Sequence, residues 1–348
     1  MITIKLGEDL SADVLRAVAR GAEAKLALPS ATLGRIKKAH AAVEEILKSP
    51  KPVYGVSTGF GALAQERISL EDSGTLQSNL LLSHAVGVGD DMSANEKRLA
   101  LLLRIQSMCR GVSGVRPQLV RWLIAMFHSG WLPRVPEQGS VGACGDLAPL
   151  AHMALPVIGA GEMVSPKGKI VSSKKALKKI GLEPLELVAK EGLALINGVQ
   201  ISNAIGLAAW GAMCDLSVTA DIAGALSLEA LMGSHSPFDA RVTKVRPHKG
   251  AVATSANMRK LLAKSQVKKS HAQCERVQDP YSFRCIPQVH GAAKDAIAHL
   301  GDALILEANS ATDNPLVFPD EGDSISAGNF HGQPIAMPLD YAANAICA

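Results

Sequence analysis

Gly139-Ser140-Val141-Gly142-Ala143-Cys144-Gly145-Asp146-Leu147-Ala148-Pro149-Leu150 is the most informative stretch of this 348-residue chain. Small residues flank its central tripeptide, so the backbone can turn tightly enough for the Gly145 nitrogen to approach the Ala143 carbonyl carbon. Loss of water would close a five-membered ring, and loss of the β-substituent of residue 144 would leave an exposed methylidene carbon. Because protein side chains are nucleophiles, acids and bases, an enzyme that needs an electrophile must borrow a cofactor or make one.

This stretch resembles the signature of the aromatic amino acid ammonia-lyases, Ala-Ser-Gly-Asp-Leu-Ala-Pro-Leu, whose electrophile is a methylidene-imidazolone ring (MIO). Cys144 stands where the family pattern has Ser. A thiol is a stronger acid than a hydroxyl and leaves more readily, so hydrogen sulfide would be lost in place of a second water. The resemblance covers nearly the whole chain. It implies an MIO made from Ala143, Cys144 and Gly145, with no external cofactor.

The composition favours packed helices. Hydrophobic residues make up 47% of the chain and aromatic residues 3%, so Ala, Leu, Ile and Val must build the core, which suits helices better than a β-sandwich. The net charge of +4 is small for this length. The lysine pairs at 174–175 and 178–179 are typical of a solvated helix face, and nucleic-acid binding is therefore not expected.

The cysteines and histidines follow no metal-site pattern. The six cysteines contain no Cys-x-x-Cys pair and the ten histidines no His-Glu-x-x-His motif, so we expect neither a metal site nor a disulfide framework. The N-terminus lacks the basic and apolar regions of a signal peptide. Together with the cysteine pattern, this favours a cytoplasmic location.

The hydrophobic periodicity predicts a mainly α fold, in which long antiparallel helices form a bundle beside an irregular N-terminal active-site portion. The predicted helices span 30–48, 96–110, 117–129, 146–155, 172–180, 199–232 and 286–308. Segment 199–232 is long enough to span a membrane, but polar residues interrupt it, so we expect a helix buried on most sides. We divide the chain into an N-terminal lyase portion, 1–198, and a central helical bundle, 199–348.

The last residues, 340–348, have the pattern of a helix interior, without Gly, Pro or a basic final turn. The family resemblance implies longer chains, in which the remaining part continues the bundle. We therefore expect a chain that is incomplete at its C-terminus. The resemblance also implies a homotetramer for the full-length protein, with active sites built from three subunits.

Two further motifs resemble segments of this family: Tyr54-Gly55-Val56-Ser57-Thr58-Gly59-Phe60-Gly61 and Val277-Gln278-Asp279-Pro280-Tyr281-Ser282-Phe283-Arg284-Cys285-Ile286-Pro287-Gln288. The resemblance implies that Tyr54 removes the substrate β-proton and that Tyr281 lies near the electrophile. Arg284 would bind the substrate carboxylate, because a guanidinium matches two oxygens at once. Gln278 would contact the substrate side chain. From the residues alone, Tyr54 would be a loop aromatic that packs as a lid.

The resemblance assigns roles to four more residues. Asn197 would hydrogen-bond the ring or the substrate amine, and Phe330 would pack over the ring. Asp146 could assist ring closure, and Asn314 would support the site from behind. Each has a structural alternative: a helix cap for Asn197 or Asp146, plain core for Phe330, and an Asx turn before Pro315 for Asn314.

His84 bears on the substrate, because family members differ at this position according to the amino acid they use. The pair Ser83-His84, together with Gln278, resembles the histidine-using branch, which eliminates ammonia from histidine to give urocanate. We expect a small-molecule substrate, an amino acid, and no nucleic-acid or membrane partner. A tyrosine ammonia-lyase or aminomutase is an alternative, and so is an inactive fragment or variant, because of Cys144. A thiol hydrolase is disfavoured, because no cysteine-protease signature surrounds Cys144.

Overall fold

The computed structural model describes residues 1–270 and 276–347; Cys274 lies outside them. The predicted mainly α fold is confirmed. The helices are α1 (Ala12–Ala19), α2 (Ser30–Lys48), α3 (Leu70–His84), α4 (Ala94–Met108), α5 (Pro117–Ser129), α6 (Leu147–Ala154), α7 (Ser173–Ile180), α8 (Glu191–Ile196), α9 (Gln200–Ala230), α10 (Ala240–Val245), α11 (Lys249–Leu261), α12 (Val267–Ser270), α13 (Tyr281–Arg284), α14 (Ile286–Ala308) and α15 (Gln333–Ile346). The strands are β1 (Ile2–Lys5), β2 (Ala24–Ala27), β3 (Val88–Asp91), β4 (Leu132–Pro133), β5 (Pro136–Gln138), β6 (Glu162–Val164), β7 (Ile170–Ser172), β8 (Leu316–Phe318) and β9 (Asp323–Ile325).

The chain forms two compact units. Unit 1 comprises residues 1–208 and 304–334, and unit 2 comprises residues 209–303 and 335–348. Unit 1 contains the Ala143-Cys144-Gly145 tripeptide. The division expected from the sequence, 1–198 and 199–348, concerns the family fold and stays a prediction.

Local sequence signals explain where several helices of unit 1 begin and end. Helix α5 begins at Pro117, whose fixed φ suits a first helical position, and is followed by Gly130 in the left-handed conformation. Helix α7 likewise ends before left-handed Gly181. The segment before α7 forms the antiparallel pair β6–β7. These boundaries agree with the sequence because each depends on one or two adjacent residues.

Short strands of unit 1 tie distant loops together. Strands β1 and β2 pair in parallel, with Ile2 opposite Ala24. Strands β3 and β5 pair antiparallel, with Val88 opposite Gln138. This second pairing places the segment that follows His84 next to the strand that leads into the ring tripeptide.

Helix α4 is the central helix of unit 1. Its residues from Leu99 to Met108 are all buried, which explains the continuous apolar pattern of the sequence, because a helix covered on every side needs no polar face. Two cations interrupt that pattern. Lys97 is 1% exposed and pairs with Asp91, and Arg104 is 2% exposed.

Helix α9 is buried only in part. Its first turns are covered, whereas Leu216 is 54% exposed and Leu226 67% exposed. Within this single chain the second half of α9 is thus exposed, and the expected burial of the segment on most sides, which subunits could share, stays a prediction. Within the described residues, segment 191–230 has the length and apolar composition of a membrane span, but 78% of its most apolar window is buried, as in the core helix of a soluble protein.

Unit 2 contains the antiparallel pair formed by the second part of α9 and by α14. The Trp210 indole donates to Ile297 O at 3.0 Å, and Gly224 lies next to Ile286, so the two helices run in opposite directions. Gly301 lets them approach closely, because an added Cβ would lie 2.6 Å from the Trp210 ring. Unit 2 also contains a cluster of buried hydrophobic residues, which consists of Ala225, Leu228, Phe238, Met258, Leu262, Phe283 and Ile286.

Candidate active site

The ring tripeptide lies in a tight turn between β5 and α6. The Gly145 amide donates to Gly142 O at 3.2 Å, and Ala143 and Gly145 form an isolated β-bridge. Gly142 and Gly145 both have positive φ, 73° and 75°, a region that L side chains rarely adopt. Cys144, at the tip, is exposed. The turn predicted from the small residues is present.

Gly145 sits against two backbone carbonyls. An added Cβ would lie 2.5 Å from Gly198 O and 3.0 Å from Phe330 O, so no side chain fits. The Asp146 amide donates to Gly198 O at 2.7 Å. The end of the tripeptide is therefore held by the segment that follows α8 and faces the loop that contains Phe330.

Asp146 is fully buried, and its side chain serves as a hydrogen-bond acceptor. It occupies the residue before α6, but its side chain makes no capping bond to that helix. Its carboxylate accepts from Ser140 Oγ at 2.6 Å, from Ser202 Oγ at 2.6 Å and from the Ser202 amide at 2.8 Å. Burial raises the pKa of this carboxyl, and the bonds from Ser202 and Ser140 oppose that shift. Asp146 thus occupies the N-cap position of α6, but its side chain makes no capping bond to the helix.

Glu307, near the end of α14, lies close enough to Asp146 to feel its charge. Burial, and then the Asp146 carboxyl, raise the pKa of Glu307 to about 7. Two carboxyl groups that share a desolvated region cannot both ionise cheaply. Glu307 is therefore partly protonated near neutral pH.

Replacing Glu307 with Gln is expected to remove a loss of stability at high pH. The folded state binds the Glu307 proton more tightly than the unfolded chain, where the pKa is near 4.5. This stabilisation is complete below pH 4.5 and lost as the pH rises through 7. The stability advantage of Glu307→Gln over the wild type should grow by up to roughly 3 kcal/mol from acid to alkaline pH, measured by urea unfolding. Glu321→Gln, at an exposed loop position, is the matched control. A difference in unfolding free energy between Glu307→Gln and the wild type that does not change with pH would contradict the raised pKa of Glu307.

A hydrogen bond joins Asn197 to Asn314. Asn197 is 4% exposed, follows α8, and donates from Nδ2 to Asn314 O at 3.0 Å. The Asn314 Oδ1 atom accepts from the Ala327 amide at 2.7 Å and from Ser326 Oγ at 3.2 Å. It thus ties two loops together and does not form the local Asx turn considered from the sequence. Asn197 occupies the C-cap position of α8, so the cap alternative and the contact with Asn314 coexist.

His84 ends α3 and is half-buried. Its Nδ1 atom lies 2.9 Å from Leu80 O. Because a carbonyl oxygen can only accept, this contact is a hydrogen bond in the form whose proton is on Nδ1, which leaves Nε2 as the acceptor nitrogen of that tautomer. Ser83 Oγ lies 3.1 Å from the same Nδ1 atom. The loop after His84 is fixed to α6, because the Gly87 amide donates to His152 Nε2 at 3.0 Å.

Tyr54 lies on the predicted Gly-rich loop of unit 1. Its half-buried ring packs edge-on against Phe60, with 6.3 Å between the centroids. It lines a cleft of about 650 Å³ together with Val53 and Pro315. The lid alternative and the base assignment are both compatible with this position, and the role of Tyr54 stays a prediction.

Tyr281, Gln278 and Arg284 lie in unit 2. Tyr281 is 72% exposed and begins α13. The Arg284 guanidinium lies 4.8 Å from the centroid of the Tyr281 ring, and its Nε donates to Asp279 O at 2.8 Å. Gln278 and Arg284 line the same cleft, of about 820 Å³. Both groups thus face one space, as expected for residues that bind two ends of one small molecule.

The structure therefore gathers the predicted residues into separate groups. In unit 1 it places the ring tripeptide, Asp146 and the backbone of Phe330 around Gly198, and Asn197 next to Asn314. In unit 2 the Tyr281 ring lies next to the Arg284 guanidinium, and Arg284 lines the same cleft as Gln278. The roles of these residues stay predictions.

Several site residues were missed from the sequence. Ser140 and Ser202 bind Asp146, and Lys190 forms a fully buried ion pair with Asp313, 2.6 Å from Nζ to Oδ2. The one available signal was a charge inside an apolar segment, as at Lys190 between Val188-Ala189 and Leu193. Such a charge must find a partner when it is buried, but the sequence does not say which.

Among residues 1–270 and 276–347, no group of three or more His, Cys, Asp or Glu side chains is arranged to hold a metal ion.

Known proteins match this chain over most of its length. The family model described as aromatic amino acid lyase matches residues 10–348. The histidine ammonia-lyase of Anaeromyxobacter sp. (strain K) is 48% identical over 345 residues, 97% of this chain and 68% of that protein. The histidine ammonia-lyase of Sorangium cellulosum (strain So ce56) is 53% identical over 298 residues, 84% of this chain and 58% of that protein.

Solved structures show the same fold. The crystal structure of histidine ammonia-lyase from Trypanosoma cruzi superposes with a TM-score of 0.89 at 37% identity, and covers 99% of this chain and 64% of that one. The phenylalanine aminomutase of Pantoea agglomerans superposes with a TM-score of 0.92 at 29% identity, and covers 99% of this chain and 70% of that one. This chain thus spans roughly two thirds of the length of these relatives.

Proposed function

Because the chain belongs to the aromatic amino acid lyase family, a family of carbon–nitrogen lyases, we propose that it eliminates ammonia from histidine to give urocanate, using an electrophile made from Ala143, Cys144 and Gly145. The observation that carries the proposal is the tight turn at residues 142–145. In this turn the Gly145 amide donates to Gly142 O, and the carboxyl of the next residue, Asp146, is buried.

The turn fits the ring that the proposal requires. Gly142 and Gly145 supply the positive φ values, and Gly145 leaves no room for a side chain. Closure joins the Gly145 nitrogen to the Ala143 carbonyl carbon and releases water; elimination of the Cys144 α-proton and thiol then releases hydrogen sulfide. The ring would supply an electrophilic carbon that makes the substrate amine a workable leaving group.

Other side chains of the chain supply the remaining functions. Asp146, fixed by Ser140 and Ser202, holds the turn and is placed to assist closure. Tyr54 takes the β-proton of the substrate. Arg284 binds the substrate carboxylate, because its planar fork matches two oxygens.

The choice of histidine rests on two polar groups. In the tautomer whose Nδ1 donates to Leu80 O, His84 offers Nε2 as an acceptor, and Gln278 offers both a donor and an acceptor. An imidazole side chain carries one donor and one acceptor, which these groups complement. The proteins similar to this chain include histidine ammonia-lyases, which supports histidine as the substrate. They also include a phenylalanine aminomutase.

We further propose a homotetramer in the cytoplasm for the full-length protein. The second half of α9 exposes apolar side chains at Leu216, Val218, Ile222 and Leu226. A row of this kind is costly in water and typical of an assembly surface. Subunits that share it would allow residues of unit 1 and unit 2 to meet from different chains.

The proposal is tested by mixing the protein separately with histidine and tyrosine and following urocanate and coumarate by absorbance. Urocanate from histidine alone supports it, whereas coumarate without urocanate would end the histidine assignment in favour of a tyrosine-using enzyme. Intact-mass spectrometry of the same sample tests the electrophile. A mass lower by one water and one hydrogen sulfide indicates the ring, and a mass equal to the plain sequence indicates an inactive variant.

A further inference from the structure

Arg104 is a charged residue inside the apolar helix α4, at 2% exposure. Burial lowers the pKa of its guanidinium to about 10, with Asp313 opposing the shift, so the group is charged at neutral pH. A buried charge is stable only where hydrogen bonds replace water. Its partners therefore indicate what the charge does.

Two of the three hydrogen-bond partners of Arg104 lie in the turn formed by residues 197–200, and the third lies on α4 itself. Arg104 Nη1 donates to Asn197 O at 2.6 Å and to Gln200 Oε1 at 3.0 Å, and Nη2 donates to Ser107 Oγ at 3.3 Å. Gln200 in turn donates from Nε2 to Thr312 Oγ1 at 2.6 Å. The segment between α8 and α9 is thus wrapped around the guanidinium.

This same turn carries the backbone atom that holds the ring tripeptide. Gly198 lies between the two partners of Arg104, and its carbonyl accepts from the Asp146 amide at 2.7 Å. Gly145 packs on that carbonyl. Gly198 has no room for a side chain, because an added Cβ would contact Thr312 Oγ1 and would lie 2.9 Å from Arg104 Nη1.

We propose that Arg104 is a positioning residue for the reaction. Its guanidinium holds the turn formed by residues 197–200. Through Gly198 this turn fixes the position of the ring tripeptide, and it also fixes the position of Asn197. The proposal rests on the proposed function, in which Gly145 closes the ring and Asn197 contacts the ring or the substrate amine. Lys at position 104 would keep the charge but lose the planar fork that reaches two oxygens.

Hydrogen exchange followed by mass spectrometry tests this without any turnover. In Arg104→Lys we expect the amides of peptide 139–150 to exchange at least about 10-fold faster than in the wild type, while those of β1 stay unchanged. Arg98→Lys is the matched control, because Arg98 lies on the same helix but donates to Phe127 O at 3.4 Å. We expect no change at 139–150 in that control.

Kinetics then separate positioning from simple stabilisation. For Arg104→Lys we expect kcat for histidine to fall by about 10- to 100-fold while KM changes by less than about 3-fold. We also expect a smaller fraction of chains with the mass of the ring. Gln200→Asn withdraws the acceptor by one methylene and should shift the same quantities in the same direction, which covers the case in which Arg104→Lys does not fold.

Normal exchange at 139–150 with normal kcat, in folded Arg104→Lys or, if that variant does not fold, in Gln200→Asn, would overturn the proposal. A rise in KM at constant kcat would also overturn it. If the wild type forms no ring and does not turn over histidine, the proposed function fails. Faster exchange at 139–150 in Arg104→Lys would even then support the hold of Arg104 on the turn.

Discussion

Replacing Cys144 with Ala is expected to reduce histidine turnover by at least about 1,000-fold, because the chain then has no β-substituent to eliminate and no electrophile. The fold should be unaffected, since Cys144 is exposed at the tip of its turn. The measurements are the rate of urocanate formation and the intact mass. We expect a mass that shows no loss of hydrogen sulfide.

Two variants complete this test. Cys347→Ala changes another exposed cysteine, near the end of α15, and should retain both the ring mass and the activity. Cys144→Ser restores the family pattern and should show the loss of two waters. Substantial turnover in Cys144→Ala would contradict the proposed electrophile, because Ala cannot generate the methylidene carbon by elimination.

The helices could be predicted from the sequence wherever a local signal marks them. The Pro117 start of α5 and the Gly181 end of α7 coincide with the observed boundaries, because φ restrictions act on single residues. The long apolar runs that became α9 and α14 were equally clear. What these runs could not show is which side chains are covered: the second half of α9 is also rich in apolar residues but exposes Leu216 and Leu226.

The ring tripeptide could be recognised from the small residues around it, but the side chains that hold its neighbour Asp146 could not be predicted. Asp146 precedes a helix and therefore looks like an N-cap, yet its carboxylate is occupied by Ser140 and Ser202, 6 and 56 residues away. The Lys190–Asp313 pair joins residues 123 positions apart. Partners at such separations depend on tertiary packing, which no periodicity or spacing encodes.

Arg104 illustrates the same limit. An arginine in an apolar helix indicates a buried charge, but only the folded chain shows that its guanidinium reaches Asn197 and Gln200. The sequence predicted Asn197 as a site residue and left Arg104 among the core residues of α4. The physical link between the two is a single hydrogen bond to a backbone carbonyl, and backbone acceptors carry no sequence signal.

Replacing Tyr54 with Phe is expected to lower kcat for histidine by about 100- to 10,000-fold, the range of an aligned general base. The change removes one hydroxyl and keeps the ring, which packs edge-on against Phe60 at 6.3 Å. The fold and the ring mass should therefore be retained. Substrate binding should change little, because Tyr54 is assigned to the β-proton and Arg284 to the carboxylate. Steady-state kinetics and intact mass check these expectations.

Tyr341→Phe is the matched control, because it removes the hydroxyl of another tyrosine, one that is 56% exposed on α15; its kcat should equal that of the wild type. A solvent-exchange experiment gives a second reading. If Tyr54 moves the β-proton, incubation of the wild type in deuterated water should place deuterium at the β-carbon of recovered histidine, and Tyr54→Phe should suppress it. Equal kcat and equal deuterium incorporation in Tyr54→Phe would show that Tyr54 acts only as a packing residue of its loop and that another group takes the proton.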